Sequence, residues 1–203
     1  MKTQTKKIQE SLTPKIAHNI LVEGNKRFAQ NLKAQRNLQD QVFETSSGQY
    51  PFAAILSCID SRVPAELVFD QGIGDIFSIR VAGNIVNEDI LGSIEYACKV
   101  AGSKIVVVLG HTKCGAVTAA CNHVELGNIT PLLQKIQPAV KIVEAEATVL
   151  DEDAIEKVSE LNVEISIDRI REESSILAEM ENEEMIEIVG AMYDVSTGKV
   201  TFN

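Results

Sequence analysis

Between Pro51 and Leu109 the chain alternates two kinds of apolar spacing. Phe52–Ser57, Asp75–Val81 and Lys104–Leu109 are short runs rich in Ile, Val and Phe, the pattern of strands buried on both faces of a parallel sheet. Between the second and third, Ile90, Leu91, Ile94, Ala97 and Cys98 in Asn87–Val100 return at helical spacing and form one face. Ahead of this rhythm, Thr13-Pro14 pairs an N-cap residue with a proline at the first helical position. Ile16, Ile20, Leu21 and Phe28 follow at helical spacing, so a helix is predicted over 14–31. The polar stretch 32–49 reads as a connector. A further helix is predicted from Gly115, and 128–180 reads as helices with acidic outer faces, punctuated by Pro131 and Pro138. The alternating runs Met185–Val195 and Lys199–Phe202 flank Ser196-Thr197-Gly198, which predicts a closing β-hairpin.

The expected architecture is α/β: an open, mostly parallel sheet with helices on both faces, an N-terminal helix arm and a C-terminal hairpin. The 203 residues, 45% hydrophobic, suffice for one core, so one domain is expected over 1–203, with 1–49 as leading helix and connector and 50–203 as the α/β core. A formal charge of -10, with no Lys/Arg cluster, argues against nucleic-acid or anionic-membrane partners. No stretch approaches the roughly 18 apolar residues of a membrane span, and the opening residues lack the apolar core of a signal peptide. A cytoplasmic location is the simplest expectation, in which Cys58, Cys98, Cys114 and Cys121 are thiols, metal ligands or nucleophiles.

In open α/β sheets the loops leaving the carboxyl ends of neighbouring strands form the functional crevice. Cys58-Ile59-Asp60-Ser61-Arg62 follows the first predicted strand and Gly110-His111-Thr112-Lys113-Cys114-Gly115 the third. With these strands adjacent, two thiols and an imidazole meet. Cys, His and Cys suit Zn²⁺ and leave its fourth tetrahedral position for water, as in catalytic sites. The same residues also suit a strand end and a helix cap, and spacing alone leaves both readings open. Asp60 and Arg62 add weight to the metal site, because a carboxylate beside a thiolate needs a compensating cation and Arg can supply a bidentate one. Cys98 and Cys121 fall on core-facing helical positions and read as small buried hydrophobes. His18 and His123 read as surface or capping histidines, with a proton-relay role for His123 as a minor alternative.

The segments CIDSRVPAELVFD (58–70), GDIFSIRVAGN (74–84) and GHTKCGAV (110–117) resemble the β-class carbonic anhydrase pattern. The resemblance is strong over Gln49 to Cys121, loose over the leading helix and final hairpin, and slight over 128–180. It implies a zinc enzyme for the reversible hydration of carbon dioxide to bicarbonate and a proton by attack of zinc-bound hydroxide. Cys58, His111 and Cys114 match its metal ligands and Asp60 and Arg62 its catalytic pair. Gln49, Phe77, Ala82 and Tyr96 match residues of a small substrate pocket that the family forms at a dimer interface. The resemblance also implies a homodimer or dimer of dimers. In some members the matching aspartate swings onto zinc as a fourth ligand in a closed state. Arg80 and Tyr193 match two positions of a regulatory bicarbonate pocket, but Ile55 stands where its Trp would be. Two rival readings remain: a related zinc hydrolase of carbon disulfide or carbonyl sulfide, which would use the same ligands, and a non-catalytic zinc protein, which predicts four protein ligands.

Overall fold

The computed structural model describes residues 3–147 and 149–203; Met1, Lys2 and Thr148 of the expected 1–203 domain lie outside the described residues. Five strands form one sheet in the order β2-β1-β3-β4-β5. They are β1 (Ala53–Ser57), β2 (Ile76–Arg80), β3 (Ile105–His111), β4 (Glu187–Tyr193) and β5 (Val200–Phe202). The first four pair in parallel, and β5 runs antiparallel to β4 as the closing hairpin predicts. β1 and β3, buried throughout, are the centre of the sheet. Two core clusters lie on its opposite faces. On one, α2 (Pro14–Ala29) and α4 (Ala65–Val68) bring Ala17, Leu21 and Val68 to Ile55, Val107 and Leu109. On the other, α5 (Glu88–Glu95), α9 (Glu152–Glu173) and α10 (Ser175–Asn182) bring Ile94, Ile167 and Leu177 to Leu56, Val106 and Val108. Here α1 is Lys6–Ser11, α3 Leu38–Thr45, α6 Gly115–Cys121, α7 Ile129–Leu133 and α8 Gln137–Glu146.

Local chemistry accounts for most boundaries. The Thr13 hydroxyl accepts the Ile16 N–H and Pro14 occupies the first turn, which starts α2 as predicted. The stretch 32–49 departs from the connector expectation: it carries α3, because the Asn37 side chain accepts the N–H groups of Gln39 and Asp40. The segment preceding it is held by Asp70, whose buried carboxylate takes Arg27 Nε and Arg36 Nη1, each at 2.6 Å, and the Ala34 N–H at 3.1 Å. The helix expected over 87–100 is α5 followed by a π-helical turn at Tyr96–Val100.

Candidate metal centre

Cys58 leaves the end of β1, and His111 is the last residue of β3. With the two strands paired side by side, their ends meet, and Lys113 at φ 55° turns the chain so that Cys114 caps α6. One potential ligand atom from each of Cys58, His111 and Cys114 lies within 4.8 Å of the others, and all three residues are buried. The two sulfurs are 4.0 Å apart. Two thiolates about 2.3 Å from a tetrahedral ion stand at roughly 3.8 Å, so the spacing suits one. His111 Nδ1 lies 2.9 Å from the Thr112 carbonyl, which only accepts, so this nitrogen carries the proton. Nε2 is then left with a lone pair, buried and without a hydrogen-bond partner. An orphaned acceptor beside two sulfurs fits a soft divalent metal.

Electrostatics support the same use. The Cys58 thiol is held far below its ordinary value, first by the hydrogen bond it shares with Cys114 and then by His111 and the Gly83 N–H at 3.3 Å. Cys114 is pushed up by sharing that proton with Cys58 and by burial. Asp60 is gripped by Arg62 through Nε at 2.9 Å, Nη2 at 2.7 Å and the backbone N–H at 2.9 Å. These contacts, the Arg62 side chain first, bring the carboxyl to about 2, so it is ionised at neutral pH. Its Oδ2 stands 4.0 Å from His111 Nε2. Among the described residues Asp60 does not join the three-atom cluster, and both its oxygens are engaged by Arg62. Arg62 also donates to the Lys113 carbonyl, linking the two ligand loops.

Other expected residues lie elsewhere. Phe77 on the edge strand β2 meets Tyr96 edge-on at 6.3 Å, and the two share an open cleft of about 500 Å³ with Glu88 and Ser93. Gln49 and Tyr96 border a second cleft, of about 480 Å³. Neither cleft includes a metal-cluster residue, so a single chain does not bring Gln49, Phe77 and Tyr96 to the metal cluster. Ala82 alone of the four is close by, one residue before the Gly83 N–H that reaches Cys58. Arg80 donates to the carbonyls of Cys58 at 3.1 Å and Asp60 at 2.7 Å, an anchoring role that the sequence did not reveal. Ile55 is fully buried in β1 and Tyr193 ends β4, paired in register with His111. Cys98 and Cys121 are buried in apolar clusters as expected, His123 faces Glu144 at 3.2 Å, and His18 stands 3.4 Å from Glu187.

A mostly parallel sheet that brings a buried Cys/His/Cys cluster to the carboxyl ends of adjacent central strands is an α/β framework with a candidate site for a metal ion. The comparisons give it a family. A family model described as carbonic anhydrase matches residues 53–200, and the chain belongs to that family, in its β class. Carbonic anhydrase 2 of Mycobacterium tuberculosis is 33% identical over 193 residues, covering 92% of this chain and 91% of that protein. A carbonic anhydrase of Mycolicibacterium smegmatis is 32% identical over 195 residues, covering 92% of each. The crystal structure of the β-carbonic anhydrase CafA of Aspergillus fumigatus superposes with a TM-score of 0.75 at 28% identity, covering 92% of this chain and 90% of that one.

Proposed function

We propose that the chain catalyses the reversible hydration of carbon dioxide to bicarbonate and a proton, with Zn²⁺ held by Cys58, His111 and Cys114. The observation that carries this reading is the buried, unpartnered Nε2 of His111 beside two sulfurs 4.0 Å apart, with an ionised carboxylate 4.0 Å from that nitrogen. Zinc bound there supplies a Lewis acid that makes hydroxide available near neutral pH. Asp60, kept ionised by Arg62, accepts a hydrogen bond from the attacking oxygen and aims its lone pair at the substrate carbon. Arg62 and Arg80 keep the Asp60 loop in place from the side-chain and backbone sides. The three-donor cluster favours this reading over a closed scaffold with four protein ligands.

Carbon dioxide is apolar, and a narrow apolar wall with one amide donor suits it. Gln49, Phe77, Ala82 and Tyr96 are the residues proposed for that wall. The separation of Gln49, Phe77 and Tyr96 from the cluster within one chain supports a homodimer in which a second copy docks on the β2 edge and completes the pocket. The crystallised β-carbonic anhydrases of Sordaria macrospora are tetrameric and 25% identical, which is compatible with dimers pairing further. No helix among the described residues is long and apolar enough to cross a membrane, and the four cysteines are unpaired, which supports a cytoplasmic protein.

The test is stopped-flow carbon dioxide hydration by wild type and Cys58→Ser, with zinc content measured in both. Zinc-dependent turnover that Cys58→Ser loses together with its metal is expected, with carbon disulfide hydrolysis at background. A zinc-loaded wild type without hydration activity refutes the assignment.

A further inference from the structure

Both turns that abut the metal ligands have left-handed backbone. Gly83 at φ 67° and Asn84 at φ 41° form the turn whose N–H reaches Cys58 Sγ, and Lys113 at φ 55° sits between His111 and Cys114. Asn and Lys adopt this conformation only at an energetic cost, so each turn needs something to hold it. In both cases a holding group comes from α9. Asn162, 2% exposed, donates Nδ2 to the Gly83 carbonyl at 2.9 Å. On the same helical face, Ser166 donates to the Asn84 carbonyl at 3.4 Å and Arg169 to the Val86 carbonyl at 3.0 Å. Nearer the start of α9, Glu156 Oε1 accepts the Lys113 N–H at 2.7 Å, while the carbonyl of the same residue takes Arg62 at 3.1 Å.

We propose that Asn162 and Glu156 are positioning residues of the metal centre, because α9 places their side chains on the backbone of the Gly83 and Lys113 turns that set the Cys58 and Cys114 sulfurs. The inference rests on the zinc reading above. Asn162 acts through the Gly83 peptide: with its carbonyl fixed, the following turn keeps its shape and the Gly83 N–H stays directed at the Cys58 sulfur, where it stabilises the thiolate. Glu156 acts through the Lys113 peptide, whose orientation sets the step from His111 to Cys114. Neither side chain touches substrate. Groups that hydrogen-bond a ligand directly typically contribute 10- to 100-fold in metal affinity or activity; Asn162 and Glu156 act one step further out, through the turns beside the ligands, so the low end of that range applies.

The experiment measures zinc affinity by chelator competition, the absorption of the cobalt-substituted protein, and kcat and KM for carbon dioxide hydration, on wild type, Asn162→Leu, Glu156→Ala and Glu156→Gln. Asn162→Leu and Glu156→Ala are expected to bind zinc about 10-fold more weakly and to shift the sulfur-to-cobalt bands. They should also lower kcat with little change in KM. Glu156→Gln is expected to stay within about threefold of wild type, because its amide oxygen still accepts the Lys113 N–H. Folded Asn162→Leu and Glu156→Ala proteins that match wild type in zinc affinity, cobalt spectrum and kcat overturn the proposal, even if they melt earlier. A Gln variant as impaired as the Ala variant overturns the acceptor role of Glu156. Should Asn162→Leu fail to fold, the Glu156 pair decides. A wild type that binds no zinc instead refutes the metal reading itself.

Discussion

Gly83→Ala should destabilise the protein by about 2–4 kcal/mol, from two separable causes. The first is conformational: at φ 67° an L-residue with a Cβ pays roughly 1–2 kcal/mol. The second is crowding, since the added carbon would stand 2.7 Å from Ile136 Cδ1 and 3.4 Å from Ala116 Cβ. The Ile136 methyl is the end of a side chain and can turn, but Ile136 is fully buried in the cluster that holds Cys58, Cys114 and Val117. Overpacking of such a site costs about 1–3 kcal/mol. The loss of unfolded-chain freedom on going to Ala returns only about 0.4–1 kcal/mol. For a chain of this length the net corresponds to a melting temperature lower by roughly 5–15 °C. Gly127→Ala is the control for the first cause, because Gly127 also has positive φ, at 43°, with nothing within 4 Å of the added carbon. Urea unfolding of wild type and the two variants at equal zinc loading measures the series. A Gly83→Ala protein no less stable than Gly127→Ala would refute the crowding argument.

Three further outcomes follow from the same geometry. Gly24→Ala, helpful on a free helix, should lower stability by about 3 kcal/mol in chemical unfolding. The new carbon would lie 1.9 Å from the Phe69 carbonyl oxygen, which is backbone and cannot turn away, and moving α2 would break the Asn25 bonds to Val68, Gly198 and Val200. Burial would raise the Asp70 carboxyl, but Arg27, Arg36 and the Ala34 N–H outweigh it and depress the value in the folded protein. The associated stability is therefore present above the unfolded value of about 3.9 and lost as pH falls through the lower folded one. Asp70→Asn should flatten that acid limb in thermal melts across pH and cost about 3 kcal/mol at neutrality, by removing the charge from a buried carboxylate that Arg27 and Arg36 share. Arg62→Ala should lower hydration turnover per bound zinc on the order of 10²-fold, because Asp60 loses both its orientation and the contact that keeps its carboxyl low.

What could be read from the sequence was what depends on neighbours along the chain. β1 and β3 announce themselves as unbroken apolar runs, and the polar residues at their ends are the proposed ligands, because a buried central strand presents polar groups only at its ends. The Asp60–Arg62 fork is equally local, two residues apart. The helix α3 does not stand out in the sequence, because eight residues with scattered apolar positions give too little periodicity against a polar background.

The supports of the site failed to show for a different reason. Arg80, Glu156 and Asn162 act on backbone carbonyls and N–H groups 20 to 80 residues away, and a backbone group has no letter in the sequence with which to form a motif. Cys58, His111 and Cys114, as the proposed ligands, are restricted in type because metal chemistry chooses side chains. The residues that hold their peptides need only offer one donor or acceptor at the right place, a requirement many residue types on many helices can meet. A metal centre of this kind is therefore most legible at its ligands and least legible in the surrounding shell. Gln49, Phe77 and Tyr96 extend the point: their types suit a pocket, yet within one chain they border two open clefts that hold none of the three cluster residues, so the pocket proposed for them is not legible in one chain's neighbours.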